Sequence, residues 1–325
     1  STGELIYNGG SLGSMHYRVF LPDGYNSSQS YPVVLYLHSA AERGNDTSYI
    51  YNIFNLNGDN QNADNTWVKQ LIQETQHGNH KAILITPETG AGQYWCAANN
   101  GENWNTSNFT SATAPAESNN EKMVMNILAN VKNTYSADAN RVYITGPSMG
   151  GWGTWDMLAR YPNTFAAGVP MSGGGDITAA GTTLKNKPIW AFHGALDPYI
   201  SQSRTTDLIN AMNAADGSTT NGNPIYTKLA NMGHGEYVGA NNTLITPPAG
   251  YVTPYGSAPG AFWGDVWAEA YTPNTYRTTT PTIIGGTTGL DLYDWLFSQS
   301  LAPEPASLSL LAVGALALLR RKSSH

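Results

Sequence analysis

The chain has 325 residues and a single cysteine, Cys96. One thiol cannot form an intramolecular disulfide, and it cannot supply the ligand set of a cysteine-based zinc site. Both kinds of cross-link are therefore excluded as a source of stability. A lone cysteine is most often a small buried apolar residue, and we expect this of Cys96.

Charged residues are also scarce. Asp, Glu, Lys and Arg make up 12% of the chain, about half of the ~25% that is usual in globular proteins. Sixteen basic residues stand against 23 acidic ones, which gives a formal net charge of −7. A protein that binds nucleic acid needs a basic surface to neutralise phosphates, so this balance excludes a nucleic-acid partner. The 41% of hydrophobic residues still supply a large core, so wholesale disorder is not expected.

Long hydrophobic runs are missing until the C-terminus, where residues 306–319 are mainly apolar. As a helix this run reaches about 21 Å, short of the ~30 Å hydrocarbon core, so a permanent membrane anchor is marginal. The run follows Pro303-Glu304-Pro305 and precedes a basic cluster at 320–322. A C-terminal core helix is the alternative interpretation, but such a helix is amphipathic, whereas this run is apolar on every face.

This segment resembles the PEP-type C-terminal sorting signal of Gram-negative bacteria, which combines a Pro-Glu-Pro, a short membrane segment and an Arg-rich tail. In that family the tag directs export and is recognised by an exosortase. The resemblance implies that residues 301–325 form a sorting signal, with exosortase-type machinery as a partner and transient membrane contact through the tail alone. It also implies that the rest of the chain lies outside the cytoplasm, secreted or at the cell surface.

Short apolar runs bounded by turn residues recur through the chain and indicate strands. They occupy residues 31–38, 81–88, 141–148, 166–172 and 187–194. The runs lack clean alternation, which is typical of strands in a parallel sheet with both faces covered. Helical patterns lie between or after them, over residues 66–76, 119–135, 150–161, 203–215 and 291–298. This order predicts a three-layer α/β fold, with residues 1–300 as one domain.

The strongest chemical signal is Gly146-Pro147-Ser148-Met149-Gly150, a G-x-S-x-G sequence between a predicted strand and a predicted helix. A sharp turn in that context lifts the serine hydroxyl above the sheet, and the small residues at 146 and 150 let two backbones cross closely. We therefore predict Ser148 as a nucleophile. The Met149 N–H, at the start of the helix, is predicted to donate to a developing oxyanion. A glycine-rich structural turn is the alternative.

A serine hydroxyl needs an adjacent base, and in this architecture the chain order is serine, acid, histidine. Of the seven histidines, three follow Ser148, namely His193, His234 and His325. His325 lies in the predicted sorting signal. His234 lies in a loop after an apolar run, where catalytic bases are found, and we predict it as the base. His193 ends a strand beside the candidate acid and is expected to shape that loop by hydrogen bonding.

The acid of such a triad holds the imidazole and stabilises its charged form. Asp197 lies just beyond the strand at 187–194 and between Ser148 and His234 in chain order. We predict that Asp197 is the acid. Its rival is Asp176, which follows three glycines, and the alternative role of Asp176 is a turn or a helix cap.

A second oxyanion donor usually comes from the loop after an early strand, often from an HGGG-like stretch. Here residues 37–44 read LHSAAERG, and the backbone N–H of Ala40 is the predicted donor. Ser39 stands where glycine is usual. Glu42 and Arg43 either form a solvated pair or fix this loop, and the second is our interpretation.

Aromatic residues concentrate near the predicted site, and flat aromatic faces stack on sugar rings, phenolic acids or aromatic polyester units. The predicted substrate contacts are Trp95, Trp152, Trp263 and Trp267. Tyr199, beside the candidate acid, belongs to the same group of aromatics. The alternative is that most of these tryptophans are core or loop anchors, which is what we expect of Trp155.

Together these motifs resemble those of secreted α/β-hydrolase serine esterases, a group of feruloyl and acetylxylan esterases and polyhydroxyalkanoate (polyester) depolymerase-like proteins. The resemblance is carried by YRVFLP at 17–22, LHSAAERG at 37–44, RVYITGPSMGGW at 141–152 and KPIWAFHGALD at 187–197. It implies the α/β-hydrolase fold, with a mostly parallel central sheet and helices on both faces. It also implies a catalytic triad of Ser148, Asp197 and His234, and no metal or cofactor.

Two features depart from the family pattern, Ser39 and an insertion at about 236–288. The insertion is rich in Gly, Pro, Thr and aromatic residues, and it begins within a few residues of His234. Long loops of this kind are often lids or binding loops, so we expect it to lie near the active site. A surface decoration is the alternative.

The sequence therefore predicts an exported serine hydrolase in which Ser148 attacks a carboxylic ester and forms an acyl-enzyme. The expected substrates are polymeric or aromatic, either feruloyl or acetyl esters of plant polysaccharides or polyesters. A serine peptidase of the prolyl-oligopeptidase-like type and a non-catalytic polymer-binding surface protein are the alternatives. Peptidases of that type usually carry a large gating domain, and the intact triad in the correct order argues against the binding protein.

Overall fold

A computed structural model describes residues 4–44, 68, 71–96, 116–216, 224–229, 233–234, 282–284 and 292–301. The strands in these residues are β1 (Leu5–Asn8), β2 (Ser14–Phe20), β3 (Tyr31–Tyr36), β4 (Ile83–Glu88), β5 (Ala137–Pro147), β6 (Ala167–Met171), β7 (Trp190–Gly194), β8 (Ile225–Leu229) and β9 (Thr282–Ile284). They form one sheet in the order β1-β2-β4-β3-β5-β6-β7-β8-β9.

The centre of the sheet is parallel. Strands β4, β3, β5, β6, β7 and β8 run in the same direction, while β1, β2 and β9 pair antiparallel at the two edges. Along β3, Val33 and Leu35 pack in one core cluster and Val34 and Tyr36 in the other. Both faces are therefore covered, which is why the sequence shows apolar runs without alternation. The five predicted strands are confirmed as β3 to β7.

Within the described residues, five α-helices accompany the sheet. They are α1 (Asn119–Thr134), α2 (Met149–Arg160), α3 (Ile177–Gly181), α4 (Ser203–Asp216) and α5 (Leu292–Ser298). Short 3-10 helices span Gly10–Leu12 and Ala40–Glu42, and Gln73–His77 forms a π-helix. The helices predicted over 119–135, 150–161, 203–215 and 291–298 are confirmed. The helix predicted over 66–76 lies partly outside the described residues.

The helices lie on both faces of the sheet. Side chains of α1, α2 and α4, such as Ile127, Trp155 and Leu208, belong to one core cluster. Those of α5, such as Leu292, pack with Leu71 in the other cluster. The predicted three-layer α/β architecture is thus confirmed.

Much of the predicted insertion and all of the predicted sorting signal after Leu301 lie outside the described residues. Within 236–288 the structure describes Thr282–Ile284, which forms β9 and pairs with β8. Among the helices of the described part, none combines the length and the hydropathy that a membrane crossing requires.

The parallel arrangement decides where the candidate site lies. Strands β3, β5, β7 and β8 all end at the same edge of the sheet. The chain that follows them carries residues 37–44, Ser148, Asp197 and His234 respectively. Ligand and catalytic sites of open parallel sheets lie at the carboxyl ends of the strands, so these four segments are the natural place for one.

Candidate active site

Ser148 occupies a strained turn between β5 and α2. Its φ is 53° and its ψ is −115°, a backbone conformation that residues other than glycine seldom adopt. The Ser148 N–H donates to the Met171 carbonyl at 2.9 Å, and the Ser148 carbonyl accepts from the Trp152 N–H at 3.0 Å. The backbone of the turn is therefore held on both sides, and the side-chain hydroxyl makes no cap bond to its own helix.

The two glycines of the G-x-S-x-G sequence are required by close backbone contact. A Cβ built on Gly150 would lie 1.9 Å from the Leu37 carbonyl oxygen, and one built on Gly146 would lie 2.3 Å from the same oxygen. A side chain at either position would push apart the turn and the end of β3. The crossing that the sequence predicts is thus present, and it places the turn directly against residues 37–44.

His234 lies between Ser148 and Asp197. Its Nε2 is 2.8 Å from the Ser148 Oγ, and its Nδ1 is 2.6 Å from the Asp197 Oδ2. A carboxylate oxygen only accepts, so Nδ1 carries the proton and the Nε2 lone pair faces the serine hydroxyl. His234 is 1% exposed. This tautomer is the one in which an imidazole can take a proton from serine.

Asp197 is a buried carboxylate surrounded by N–H groups. Its Oδ1 accepts from the backbone N–H groups of Tyr199 and Ile200, both at 2.9 Å. Its Oδ2 faces the rings of His234 and His193. Burial raises the pKa of this carboxyl, but the hydrogen bonds from His193, His234 and Ile200 outweigh burial and hold the pKa well below its ordinary value. The side chain is therefore ionised and turns its charge toward His234.

The structure separates the rival residues from these roles. Asp176 caps α3, since its Oδ1 accepts from the N–H groups of Thr178 and Ala179 at 2.8 and 3.2 Å. The cap that the sequence offered as its alternative role is thus confirmed. His193 contacts the same Asp197 oxygen that faces His234. This contact agrees with the expected hydrogen bonding of His193 within its loop.

Residues 37–44, the loop after β3, are fixed by Glu42 and Arg43. The Glu42 Oε2 accepts from the Ser39 N–H at 2.7 Å, and the Glu42 side chain is buried. The Arg43 Nε donates to the Ala40 carbonyl at 2.8 Å, and its Nη1 donates to the Gln93 carbonyl at 3.3 Å. These contacts confirm a loop-fixing arrangement rather than a solvated pair.

His38 supports the same loop from below. It is fully buried, and its Nδ1 lies 2.7 Å from the Ser39 carbonyl while its Nε2 accepts from the Thr89 N–H at 3.0 Å. Burial lowers the pKa of His38 to about 4. The bond to Ser39 raises this pKa, and the nearby Arg43 charge lowers it further. His38 is therefore a neutral connector between the loop and the end of β4.

The two predicted oxyanion donors both lie at the start of a helix. Met149 is the first residue of α2, and Ala40 is the first residue of the helix Ala40–Glu42. The first N–H groups of a helix have no acceptor within it, so they are available to a developing negative charge. The crossing at Leu37 brings these two helix starts to the same part of the molecule.

Two predicted substrate contacts are buried. Trp95 and Trp152 are 0% and 2% exposed. The Trp95 indole N–H donates to the His38 carbonyl at 2.9 Å, and the Trp152 ring packs against Gly174. In this structure the two side chains support the loop and the turn, and their contact with a substrate stays a prediction. Trp155 packs in the core as expected.

The other aromatics divide between described and undescribed parts of the chain. Trp263 and Trp267 lie outside the described residues. Tyr199 is 46% exposed, and its ring lies 5.5 Å from the His234 ring in an edge-on arrangement. Tyr199 is thus a partly exposed aromatic side chain beside His234. Within the described residues no three His, Cys, Asp or Glu side chains are grouped as metal ligands.

Comparison with known proteins gives a family and short stretches of similarity. A family model described as "Putative esterase" matches residues 12–274. Acetylxylan esterase A of Emericella nidulans is 46% identical over 54 residues, which are 17% of this chain and 18% of that protein. Poly(3-hydroxyalkanoate) depolymerase C of Paucimonas lemoignei is 30% identical over 95 residues, 29% of this chain and 21% of that protein. The matches therefore span about a fifth of the length of these curated relatives.

Solved structures agree on the fold. One described as "Crystal Structure of a Thermostable Esterase" superimposes with a TM-score of 0.59 and 24% sequence identity, covering 92% of this chain and 63% of that one. Together with the mostly parallel sheet and its helices on both faces, this similarity confirms the α/β-hydrolase fold that the sequence motifs implied.

Proposed function

The chain belongs to this esterase family, and on that basis we propose that it hydrolyses carboxylic esters, with Ser148 as nucleophile, His234 as base and Asp197 as acid. The observation that carries the proposal is the unbroken line of hydrogen bonds from the Ser148 Oγ through both nitrogens of His234 to the Asp197 Oδ2. Short contacts, a buried carboxylate and a defined tautomer coincide at a strained serine, which is the arrangement that nucleophilic catalysis requires.

The first half of the reaction forms an acyl-enzyme. The Ser148 Oγ attacks the ester carbonyl carbon while its proton passes to the His234 Nε2. The imidazolium that results is stabilised by the ionised Asp197. Collapse of the tetrahedral intermediate breaks the bond to the alcohol oxygen, which takes the proton from His234 and leaves as the free alcohol.

The second half repeats the steps with water. His234 accepts a proton from a water molecule, whose oxygen attacks the acyl carbon on Ser148. The bond to the Ser148 oxygen then breaks, the serine recovers its proton from His234, and the carboxylic acid leaves. In both halves the carbonyl oxygen becomes negative, and the N–H groups of Met149 and Ala40 are the proposed donors to it.

We propose that the substrates are acetyl or feruloyl esters of plant polysaccharides, or hydroxyalkanoate polyesters. The names of the relatives above support an acetyl ester on a polysaccharide or the backbone ester of a polyester, and the feruloyl ester rests on the sequence motifs. A chain with 12% charged residues and 19 tyrosines also suits a neutral, partly aromatic substrate. Tyr199 is the described side chain best placed to touch it, because it is exposed beside His234.

A hydrolysis panel tests the activity and its scope. The panel consists of p-nitrophenyl esters of increasing chain length, methyl ferulate, acetylated xylan and solid poly(3-hydroxybutyrate). We expect turnover of at least one class by the unaltered protein and a loss of about 10⁴- to 10⁶-fold in kcat for Ser148→Ala. Ser172→Ala is the matched control, since Ser172 is also buried and also has a positive φ, 41°.

The control should retain most of the turnover and the same circular-dichroism spectrum. If Ser148→Ala keeps a tenth of the wild-type turnover, Ser148 is not the nucleophile. If the unaltered, folded protein hydrolyses none of these esters, the proposed substrate class is wrong.

We further propose that the protein acts outside the cytoplasm and that residues 302–325 direct it there. The proposal is supported by the Pro-Glu-Pro, the short apolar run and the basic end of that segment. Removing residues 302–325 should leave esterase activity unchanged and abolish surface or extracellular localisation in a Gram-negative host with exosortase. Loss of folding on truncation would instead show that the segment packs on the domain.

A further inference from the structure

A second imidazole contacts the acid of the proposed triad. His193 lies in β7 and is fully buried. Its Nε2 is 3.1 Å from the Asp197 Oδ2 and 2.9 Å from the Ile200 carbonyl oxygen. Both neighbours are acceptors, so this nitrogen carries a hydrogen and donates it. The one Nε2–H is shared between the Ile200 carbonyl and the Asp197 Oδ2, so this carboxylate oxygen faces N–H groups of both His234 and His193.

The other edge of the His193 ring is also held. Its Nδ1 is 2.8 Å from the Thr205 Oγ1, which lies in α4 and is 3.0 Å from the Gly173 carbonyl oxygen. Gly173 packs on the start of α2, since a Cβ there would lie 2.5 Å from the Gly151 carbonyl carbon. The second edge of the imidazole is thus held against the Thr205 hydroxyl, which lies beside the backbone that abuts the nucleophile turn.

We propose that His193 is a positioning residue that donates a second imidazole N–H to Asp197 and thereby limits how strongly this carboxylate holds a proton on His234. The proposal rests on the proposed function, because it concerns the same serine, histidine and aspartate. Asp197 is the titratable group in contact with His193 among the described residues, and His234 is the next, through that carboxylate.

The physical consequence concerns the proton affinity of the Asp197–His234 pair. Each N–H bond to the carboxylate spreads its negative charge and reduces the attraction it exerts on the imidazolium of His234. Without the His193 donor the pair binds a proton more tightly, and His234 is neutral only at higher pH. Because a general base must be unprotonated, the acidic limb of the kcat/KM profile reports this change directly.

Two conservative variants separate the donor from the mere presence of a polar side chain. In His193→Gln the amide N–H can reach the place of Nε2, whereas in His193→Asn the shorter amide reaches only the place of Nδ1, toward Thr205. With p-nitrophenyl acetate, His193→Asn should move the acidic limb upward by about 0.5–1 pH unit, so that kcat/KM below the limb falls roughly three- to tenfold. His193→Gln should leave the limb close to that of the unaltered protein.

A control and a second readout distinguish this proposal from a simple loss of packing. His80 also contacts carboxylates, Glu74 and Asp294, but far from the site along the chain and in the fold, and His80→Asn should leave the limb in place. Thermal melting of each variant establishes that it is folded. If Asn and Gln at position 193 shift the limb equally, or if kcat falls while the limb stays, the proposal is overturned.

The second readout does not depend on turnover. The His234 imidazole is titrated by NMR in Ser148→Ala protein, with and without His193→Asn. We expect a higher midpoint in the double variant, and an unchanged midpoint would refute the role of His193 even if the protein is an active esterase. Conversely, an upward shift in a protein that hydrolyses no ester would uphold the role of His193 and refute the proposed function.

Discussion

Two buried carboxyl groups in this molecule have opposite protonation behaviour. Asp197 and Glu121 both have side chains with 0% exposure. The four groups around the Asp197 carboxylate are N–H donors, two from the backbone and two from imidazoles. Glu121 receives one N–H within hydrogen-bond distance, from the backbone of Ser118 at 3.0 Å, and its other charged neighbours are the Asp156 carboxyl and the more distant Arg160 guanidinium. Equal burial is thus combined with different partners.

The Glu121 region lies between α1 and α2. Glu121 lies in the first turn of α1, where its side chain and the Ser118 hydroxyl form a capping box. The Arg160 Nε is 2.7 Å from the Asp156 Oδ2 and 3.7 Å from the Glu121 Oε2. Burial raises the pKa of Glu121 well above its ordinary value, and the neighbouring Asp156 raises it further. One guanidinium therefore faces two carboxyl groups.

The difference shows that donors, and not depth, decide the charge of a buried acid here. Burial disfavours the ionised form at both places, and at Asp197 the N–H groups outweigh it. At Asp197, in the candidate site, N–H groups surround the carboxylate. At Glu121 burial and a second carboxyl raise the pKa, and burial likewise raises the pKa of the adjoining Cys96 thiol well above its ordinary value.

Neutralising Asp197 is the largest change that this comparison predicts. In Asp197→Asn the carboxylate is replaced by an amide that can donate to His234 Nδ1 and so favours the wrong tautomer. We expect kcat for ester hydrolysis to fall about 10⁴-fold with the fold retained. Steady-state kinetics with p-nitrophenyl acetate measures the loss.

Asp176→Asn is the matched control for that variant. Asp176 is an aspartate beyond the neighbouring strand β6, and its carboxylate caps α3. Asparagine is also a good N-cap residue, so turnover should change less than threefold and stability by only a few tenths of a kcal/mol. If Asp176→Asn proves the more damaging of the two, the acid has been assigned to the wrong residue.

Removing the guanidinium tests the other half of the comparison. Arg160→Met leaves Asp156 and Glu121 buried without their positive partner, and breaking a buried pair in this way typically costs about 3 kcal/mol or more. Chemical denaturation should show that loss in the free energy of unfolding. Arg141→Met is the control, because Arg141 pairs with Asp138 at the surface, with side chains 36% and 23% exposed. It should cost less than about 1 kcal/mol.

The sequence predicts the centre of this molecule better than its edges. The runs that form β3 to β7 are apolar because both sheet faces are covered, and that signal is local. Strands β1 and β9 are four and three residues long and lie at the edges of the sheet, so each has only a short sequence pattern. The residues of the proposed triad can be selected from the sequence because a strand end, a turn glycine and the chain order each restrict the choice.

Long-range partners are what the sequence leaves open. The Arg160 Nε comes within 3.7 Å of the Glu121 Oε2 although the two residues lie in different helices, and nothing near either residue in the sequence indicates the other. Trp95 precedes the predicted site in the sequence, but that it is buried and donates its indole N–H to the His38 carbonyl could be found only in three dimensions. The expectation that His193 shapes its loop by hydrogen bonding agrees with the contacts seen, but its shared oxygen on Asp197 could be found only in three dimensions.

His38 extends the comparison from buried acids to a buried base. Its Nε2 must stay unprotonated to accept from the Thr89 N–H, and its pKa is about 4 in the folded protein against 6.5 for the ordinary group. The unfolded chain therefore takes up a proton first as the pH falls below about 6.5, and stability is lost from there toward pH 4. Between pH 7 and 5 this amounts to about 2 kcal/mol, at about 1.4 kcal/mol per pH unit.

The measurement is the free energy of unfolding against pH for the unaltered protein and for His38→Gln. The variant lacks the titrating group, so its curve should fall less steeply over that range. Parallel curves would mean that the pKa of His38 is the same in the folded and unfolded protein, and the rule drawn from the two acids would not hold for a base.

The smallest effect, and the one that bears most directly on the comparison, comes from Glu121→Gln. Because the folded pKa of Glu121 is raised, the native protein keeps a proton that the unfolded chain releases above about pH 4.5. The stability from that proton is complete below this pH and declines as the pH rises toward the folded pKa, by at most about 1.4 kcal/mol per pH unit. Glutamine has the shape of the protonated acid and does not titrate, so the variant should gain stability relative to the wild type as the pH rises from 5 to 6.

Asp138→Asn is the control. Partial burial raises the pKa of the Asp138 carboxyl, but its bonds to Arg141 and Asn140 outweigh burial and lower it. This variant should show a constant difference over the same pH range. If Glu121→Gln also shows a constant difference, Glu121 is ionised like Asp197, and the two buried acids do not differ in kind.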